Sequence, residues 1–142
     1  PGTGDEAITV AQDFQPHTAV IVTTPQDVAI LDSKKSLNMA KRIGIGDIAV
    51  VENMASFTCP HCGGTIDIFG SGGGKRLAEA YGARFLGSVP IDLGVRESCD
   101  MGMAGEYEVP QVFKDMAERL NEFTQVISKL YLASAIMQEV NH

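Results

Sequence analysis

The chain has 142 residues, 44% apolar and 20% charged, with a net charge of −7, a composition that fits one α/β-sized domain burying roughly 68–70% of its unfolded surface. The acidic balance, with basic residues scattered in ones and twos such as Lys34-Lys35 and Lys75-Arg76, argues against nucleic acid, whose affinity rests on Lys and Arg against phosphate. No apolar run approaches the roughly 18–20 residues of a membrane span, no signal peptide opens the chain, and three cysteines are too few for a disulfide scaffold. The expectation is a cytoplasmic protein with reduced thiols and neither a membrane nor a nucleic-acid partner. Its first residue is Pro rather than Met, as in a processed product or a fragment.

In chain order, His17 to Thr24 is a β-branched run ending at Pro25, and reads as a buried strand. Gln26 to Ile43 carries Val28, Leu31, Leu37, Ala40 and Ile43 on one helical face, with Gly44 just past its end. Asp47 to Val51 is a second buried strand. Gly73 to Tyr81 reads as a helix stopped by Gly82, and Arg84 to Val89 as a third strand. Residues 109–140 read as a helical segment with a break or bend near Glu122–Gln125. Strands alternating with helices, each strand nearly all apolar, predict a mostly parallel α/β sheet in a single domain over residues 1–142. Two stretches break the rhythm, residues 52–72 and 92–108. Loops of that length inside a compact domain are usually functional or disordered.

The first of these holds Cys59-Pro60-His61-Cys62-Gly63-Gly64. Two thiols three residues apart can face one ion, and the glycines allow the positive φ of a tight metal-binding turn. Half a zinc ribbon is one reading, but a structural zinc site needs four ligands and no second C-x-x-C is present. A redox dithiol is another, weakened because Gly63-Gly64 disfavours the helix start that lowers such a thiol's pKa. An iron–sulfur cluster takes four thiolates, which two copies related by a two-fold axis would supply. An unliganded pair is the fourth. Spacing alone leaves zinc and iron undecided.

Gly70-Ser71-Gly72-Gly73-Gly74-Lys75-Arg76 imitates a phosphate loop, but Phe69 and Arg76 stand where the pattern needs Gly and a hydroxyl. It reads instead as a glycine-rich turn leading into a helix. Cys99 has no ligand-like neighbour in sequence and reads as an incidental thiol.

Taken together, several segments resemble the Mrp/ApbC family of iron–sulfur carrier ATPases, relatives of MinD in the P-loop class. They are Pro1 to Asp5, Val20 to Ala29, Val51 to Met54 with Cys59 to Cys62, Ile68 to Gly74, and Phe85 to Asp92, in the family's order over residues 1 to about 120. The resemblance implies the C-terminal part of a Rossmann-like P-loop NTPase sheet flanked by helices. It implies that Cys59 and Cys62 bind a [4Fe–4S] cluster bridging a homodimer, within a cluster-binding loop spanning 52–72, for delivery to apo-proteins. Zinc could replace the cluster in aerobically purified protein. Asn53 would contact the adenine of ATP, Pro90 to Asp92 would line the same base pocket, and the backbone N–H of Gly2 would face the γ-phosphate. The family's phosphate-binding loop and its magnesium-assisting acid lie upstream of Pro1. The chain alone is therefore not expected to hydrolyse ATP. A truncated sheet would expose an edge and an apolar surface, to be covered by association or by the C-terminal helix. The competing expectation is a zinc-stabilised interaction domain without cluster transfer.

Overall fold

The computed structural model describes residues 4–140 apart from Ala104, with side chains described as far as Lys129. Three parallel strands, β1 (Thr18–Thr23), β2 (Asp47–Glu52) and β5 (Arg84–Ser88), form the main sheet in the order β1-β2-β5. Between them run α2 (Asp27–Arg42) and α3 (Gly73–Tyr81), and β3 (Phe57–Thr58) pairs antiparallel with β4 (Thr65–Ile66) in a small hairpin. Before the sheet lies α1 (Asp5–Phe14), and after it α4 (Leu93–Asp100) and α5 (Gln111–Val140). The parallel α/β sheet read from the apolar runs is therefore present, flanked by helices. Among the described residues, no helix is long and apolar enough to cross a membrane.

The sheet's two faces are covered differently. On one, Ile48 and Val50 of β2 meet Ile30, Leu37 and Ala40 of α2 and Leu77 and Ala78 of α3. Leu37, Val50 and Leu77 are essentially inaccessible, so this layer supplies most of the burial that stabilises the fold. On the other face, Ala49 and Leu86 pack beneath Met116 of α5, with Val112, Leu120 and Phe123 at the margin. Gly87 lies under α5 at a slip in register between β2 and β5, where a Cβ would stand 3.3 Å from Met116 Cγ. Arg119 of α5 donates to the Leu86 carbonyl at 2.7 Å. The β1 side of this face is bare: Val20 and Val22 are 41% and 60% exposed.

Two expectations are corrected, and one helix is new. Residues 92–108 are not merely a loop, because Asp92 caps α4 by accepting from the N–H groups of Gly94 and Val95 at 2.8 and 3.1 Å. The break near Glu122–Gln125 is absent and α5 is continuous. Its polar side chains bond along the helix itself, Thr124 Oγ1 to the Leu120 carbonyl and Gln125 to Asn121. Helix α1 had no counterpart in the sequence reading. Asp5 and Glu6 favour its first turn, and Gln15 ends it in the left-handed region at φ +47°.

Candidate functional site

Cys59 and Cys62 lie at the tip of the β3–β4 hairpin. The strands are only two residues long, so the turn is held by its own hydrogen bonds. Cys59 N–H donates to the Gly64 carbonyl and Gly63 N–H to the Cys59 carbonyl, both at 2.9 Å. Gly63 takes φ +70°, as a turn of this tightness requires. The backbone N–H groups of Cys62 and His61, and the Cys62 thiol, direct hydrogen bonds at the Cys59 sulfur and lower its pKa. Cys59 is half-buried, Cys62 is exposed, and neither is in a disulfide. No helix begins here, so the helix start that a redox dithiol of this kind uses to lower its thiol pKa is absent.

This donor set fits a thiolate-liganded metal or cluster in kind: two soft sulfurs share one side of a turn, with N–H groups ready to stabilise charge on one of them. In number it is incomplete. Among the described residues, no group of three or more His, Cys, Asp or Glu is placed to hold a metal. Cys99 is exposed on α4 and belongs to no such group.

The hairpin is tied to the sheet at its base. Ala55 N–H donates to the Val89 carbonyl at 3.0 Å and Ile91 N–H to the Ser56 carbonyl at 2.7 Å, and Phe57 bridges to Ile91. The chain that carries the thiols is thus bonded directly to the segment containing Pro90 and Asp92. Asn53 lies at the same corner, its N–H bonded to the Thr23 carbonyl at 2.7 Å and its side-chain oxygen accepting from Met54 N–H at 2.9 Å.

Asn53, Pro90 and Asp92 converge on one groove of about 560 Å³, which continues over Val20, Val22 and Val51 to α5. Its walls are largely apolar, as a pocket for a planar base requires. Asp92 reaches the groove with its carboxyl already engaged by Gly94, Val95 and the Tyr107 hydroxyl. Gly2 lies outside the described residues.

The glycine-rich turn leads into α3, as expected. Its helix N-terminus is filled from within by Glu52, whose carboxyl oxygens accept from Gly72 N–H at 3.1 Å and Gly74 N–H at 2.7 Å. A Cβ on Gly73 would lie 3.0 Å from the Pro25 carbonyl carbon, and one on Gly74 would lie 2.9 Å from Glu52 Cβ. The glycines therefore allow close seating of α3 on the strand ends. Sequence reasoning missed Glu52. Its signal was a carboxyl ending an apolar strand, with a helix start twenty residues on that lacks a side-chain cap of its own.

The chain is similar to several known proteins. A family model described as ParA: NUBPL iron-transfer P-loop NTPase matches residues 1–130. An iron-sulfur cluster carrier protein of Pyrococcus abyssi is 52% identical over 124 residues, covering 84% of this chain and 42% of that protein. The cytosolic Fe-S cluster assembly factor CFD1 of Saccharomyces cerevisiae is 36% identical over 133 residues, covering 92% of this chain and 45% of that protein. A solved nucleotide-binding protein from Archaeoglobus fulgidus, in complex with ADP, superposes with a TM-score of 0.68 at 41% identity, covering 80% of this chain and 46% of that one. The chain thus spans a little under half the length of the relatives it matches.

Proposed function

Because the chain belongs to the ParA family of NUBPL-type iron-transfer P-loop NTPases, we propose that it serves an iron–sulfur cluster carrier. In this reading residues 52–72 are the cluster-binding loop. Cys59 and Cys62 of two copies together hold a [4Fe–4S] cluster as cargo and pass it to apo-proteins. The observation that carries the reading is the tip of the β3–β4 hairpin, where two thiols outside any disulfide stand in one tight turn. Two thiolates cannot complete a four-thiolate site, and a two-fold axis through the hairpin tips would supply the other two. Exposure at such a junction would suit a cargo that must leave.

The nucleotide belongs to the whole protein rather than to this part. Asn53 would hydrogen-bond the adenine edge, Pro90 and Asp92 would wall the base, and Gly2 would meet the γ-phosphate. In the whole protein, magnesium and the phosphates would be held by other segments. The setting would be the cytosol, in keeping with the name of the yeast relative.

Anaerobic reconstitution with iron and sulfide tests the proposal. It should give a broad visible band, a mass of two chains, and about four irons per pair. A Cys59→Ser/Cys62→Ser variant should lose iron, sulfide and the pairing together. Retention of the cluster by that variant would falsify the ligand assignment. Stoichiometric zinc without iron in protein purified in the absence of air would replace the carrier reading with a zinc-stabilised interaction domain.

A further inference from the structure

Glu52 is the only Asp or Glu buried among the described residues, at 1% exposure, and the reading above gives it no task. It stands where the two ends of the cysteine hairpin meet. The chain leaves the sheet immediately after Glu52, makes its excursion through Cys59 and Cys62, and returns at Gly72. There the Glu52 carboxyl takes the N–H groups of Gly72 and Gly74. A third donor, Ser88 Oγ, reaches Glu52 Oε1 at 3.1 Å from the end of β5. That strand runs on into Val89 and Ile91, which are bonded to the outgoing side of the excursion.

One carboxyl group thus joins the exit from β2, the return into α3 and the strand that leads to the base pocket. All three of its partners are donors, so a side chain with acceptors only satisfies the set. An amide of the same shape would turn an NH2 toward one of them. The start of α3 adds the positive end of the helix dipole. The absence of Cβ atoms at Gly73 and Gly74 lets the helix approach closely enough for these bonds.

We propose that Glu52 is the positioning residue of the cysteine pair, a clasp at the base of the hairpin that fixes where the thiols stand relative to the Asn53 corner. What the thiols hold rests on the carrier reading; the clasp itself does not. With the clasp closed, the two-residue strands β3 and β4 are held to the sheet from both sides. With it open, the hairpin keeps its outgoing attachments, through Ala55 to Val89 and through Ser56 and Phe57 to Ile91, and loses the hold on its return into α3.

Amide hydrogen exchange on the full chain without metal tests this, comparing wild type with Glu52→Gln and Ser88→Ala. Glu52→Gln should accelerate exchange about tenfold or more at Gly72, Gly74 and residues 57–66, with β1 and α2 unchanged. Ser88→Ala should move the same amides in the same direction, but less. A residue that merely supports the core would not single out the hairpin. Faster exchange at Gly72 and Gly74 with residues 57–66 unaltered would reduce Glu52 to a helix cap and overturn the proposal. A uniform rise over the whole chain in both variants would overturn it as well. Should Glu52→Gln fail to fold, Ser88→Ala decides, since an unchanged hairpin in that variant also counts against the clasp. No metal enters the measurement, so failure here leaves the carrier reading intact, and failure to load iron leaves the clasp intact.

Discussion

At the Cys59 sulfur, hydrogen bonds from the Cys62 and His61 backbone outweigh the opposing effect of burial, so the thiolate is favoured over that of an ordinary cysteine. The folded pKa is depressed, so the associated stabilisation is present above the unfolded pKa and fades as pH falls through the folded one. Alkylation of Cys59, followed by mass spectrometry of the modified peptide across pH, should therefore reach half-maximal rate below the pH found for the same peptide in urea. Coincident midpoints would show that the backbone donors do not act on this sulfur. Gly73→Ala tests a steric claim at the same scale. The new methyl group would meet the Pro25 carbonyl, which is backbone and cannot rotate away, so a loss of about 1–3 kcal/mol is expected in urea titrations. The cysteine pair was legible because ligand spacing is local. Glu52 was not, because its three partners lie 20, 22 and 36 residues away and only the folded sheet brings them together.

Among the elements, α2, α3 and the three main strands were legible from apolar runs and glycine or proline stops, although on α2 Val28 and Leu31 are exposed and Ile30 takes the buried face with Leu37 and Ala40. By contrast α4, only eight residues long with Gly94 in its first turn, has little helical signal of its own. Its start depends on Asp92 and on Tyr107, which lies so close over Gly94 that a Cβ there would stand 2.8 Å from Tyr107 Cζ. Asp92→Ala should remove the cap and cost about 1 kcal/mol, a fall in Tm of about 3–5 °C by calorimetry for a chain of this size. An unchanged Tm would mean that tertiary packing alone holds α4. Burial first, then the charge and hydrogen bond of Asp92, then the charge of Glu108, push the Tyr107 phenol above its ordinary value. Because the raised pKa is that of the folded state, the stabilisation is complete below the ordinary phenol value, about 10. It is lost as pH rises toward the folded pKa. The denaturation midpoint should thus fall in that alkaline window, and Tyr107→Phe should make the fall shallower. An equal slope in both proteins would place its cause elsewhere.

At the scale of the whole molecule the two faces of the sheet explain both what the apolar pattern revealed and what it left open. Continuous apolar strands predicted a sheet meant for burial on both sides, and β2 is so buried. β1 is not: α2 covers one of its faces, while Val20 and Val22 look into the groove beside α5. No periodicity could have shown this, because which strand α5 packs against is set only by the folded sheet, and its described core partners lie on β2 and β5. The concern that a bare sheet surface would need covering is thus answered only in part by the C-terminal helix. A groove of about 560 Å³ with apolar walls should bind an apolar fluorescent dye in native protein. Val22→Glu places a carboxylate on a side chain already 60% exposed, and so should cost little stability. It should also lower dye binding sharply, because a charge carried into the groove must be desolvated by any apolar ligand. Dye fluorescence titrations of wild type and variant, with urea midpoints measured alongside, separate the outcomes. Undiminished dye binding at equal stability would locate the accessible apolar surface away from β1, and the bare face would then be closed in solution by something other than α5.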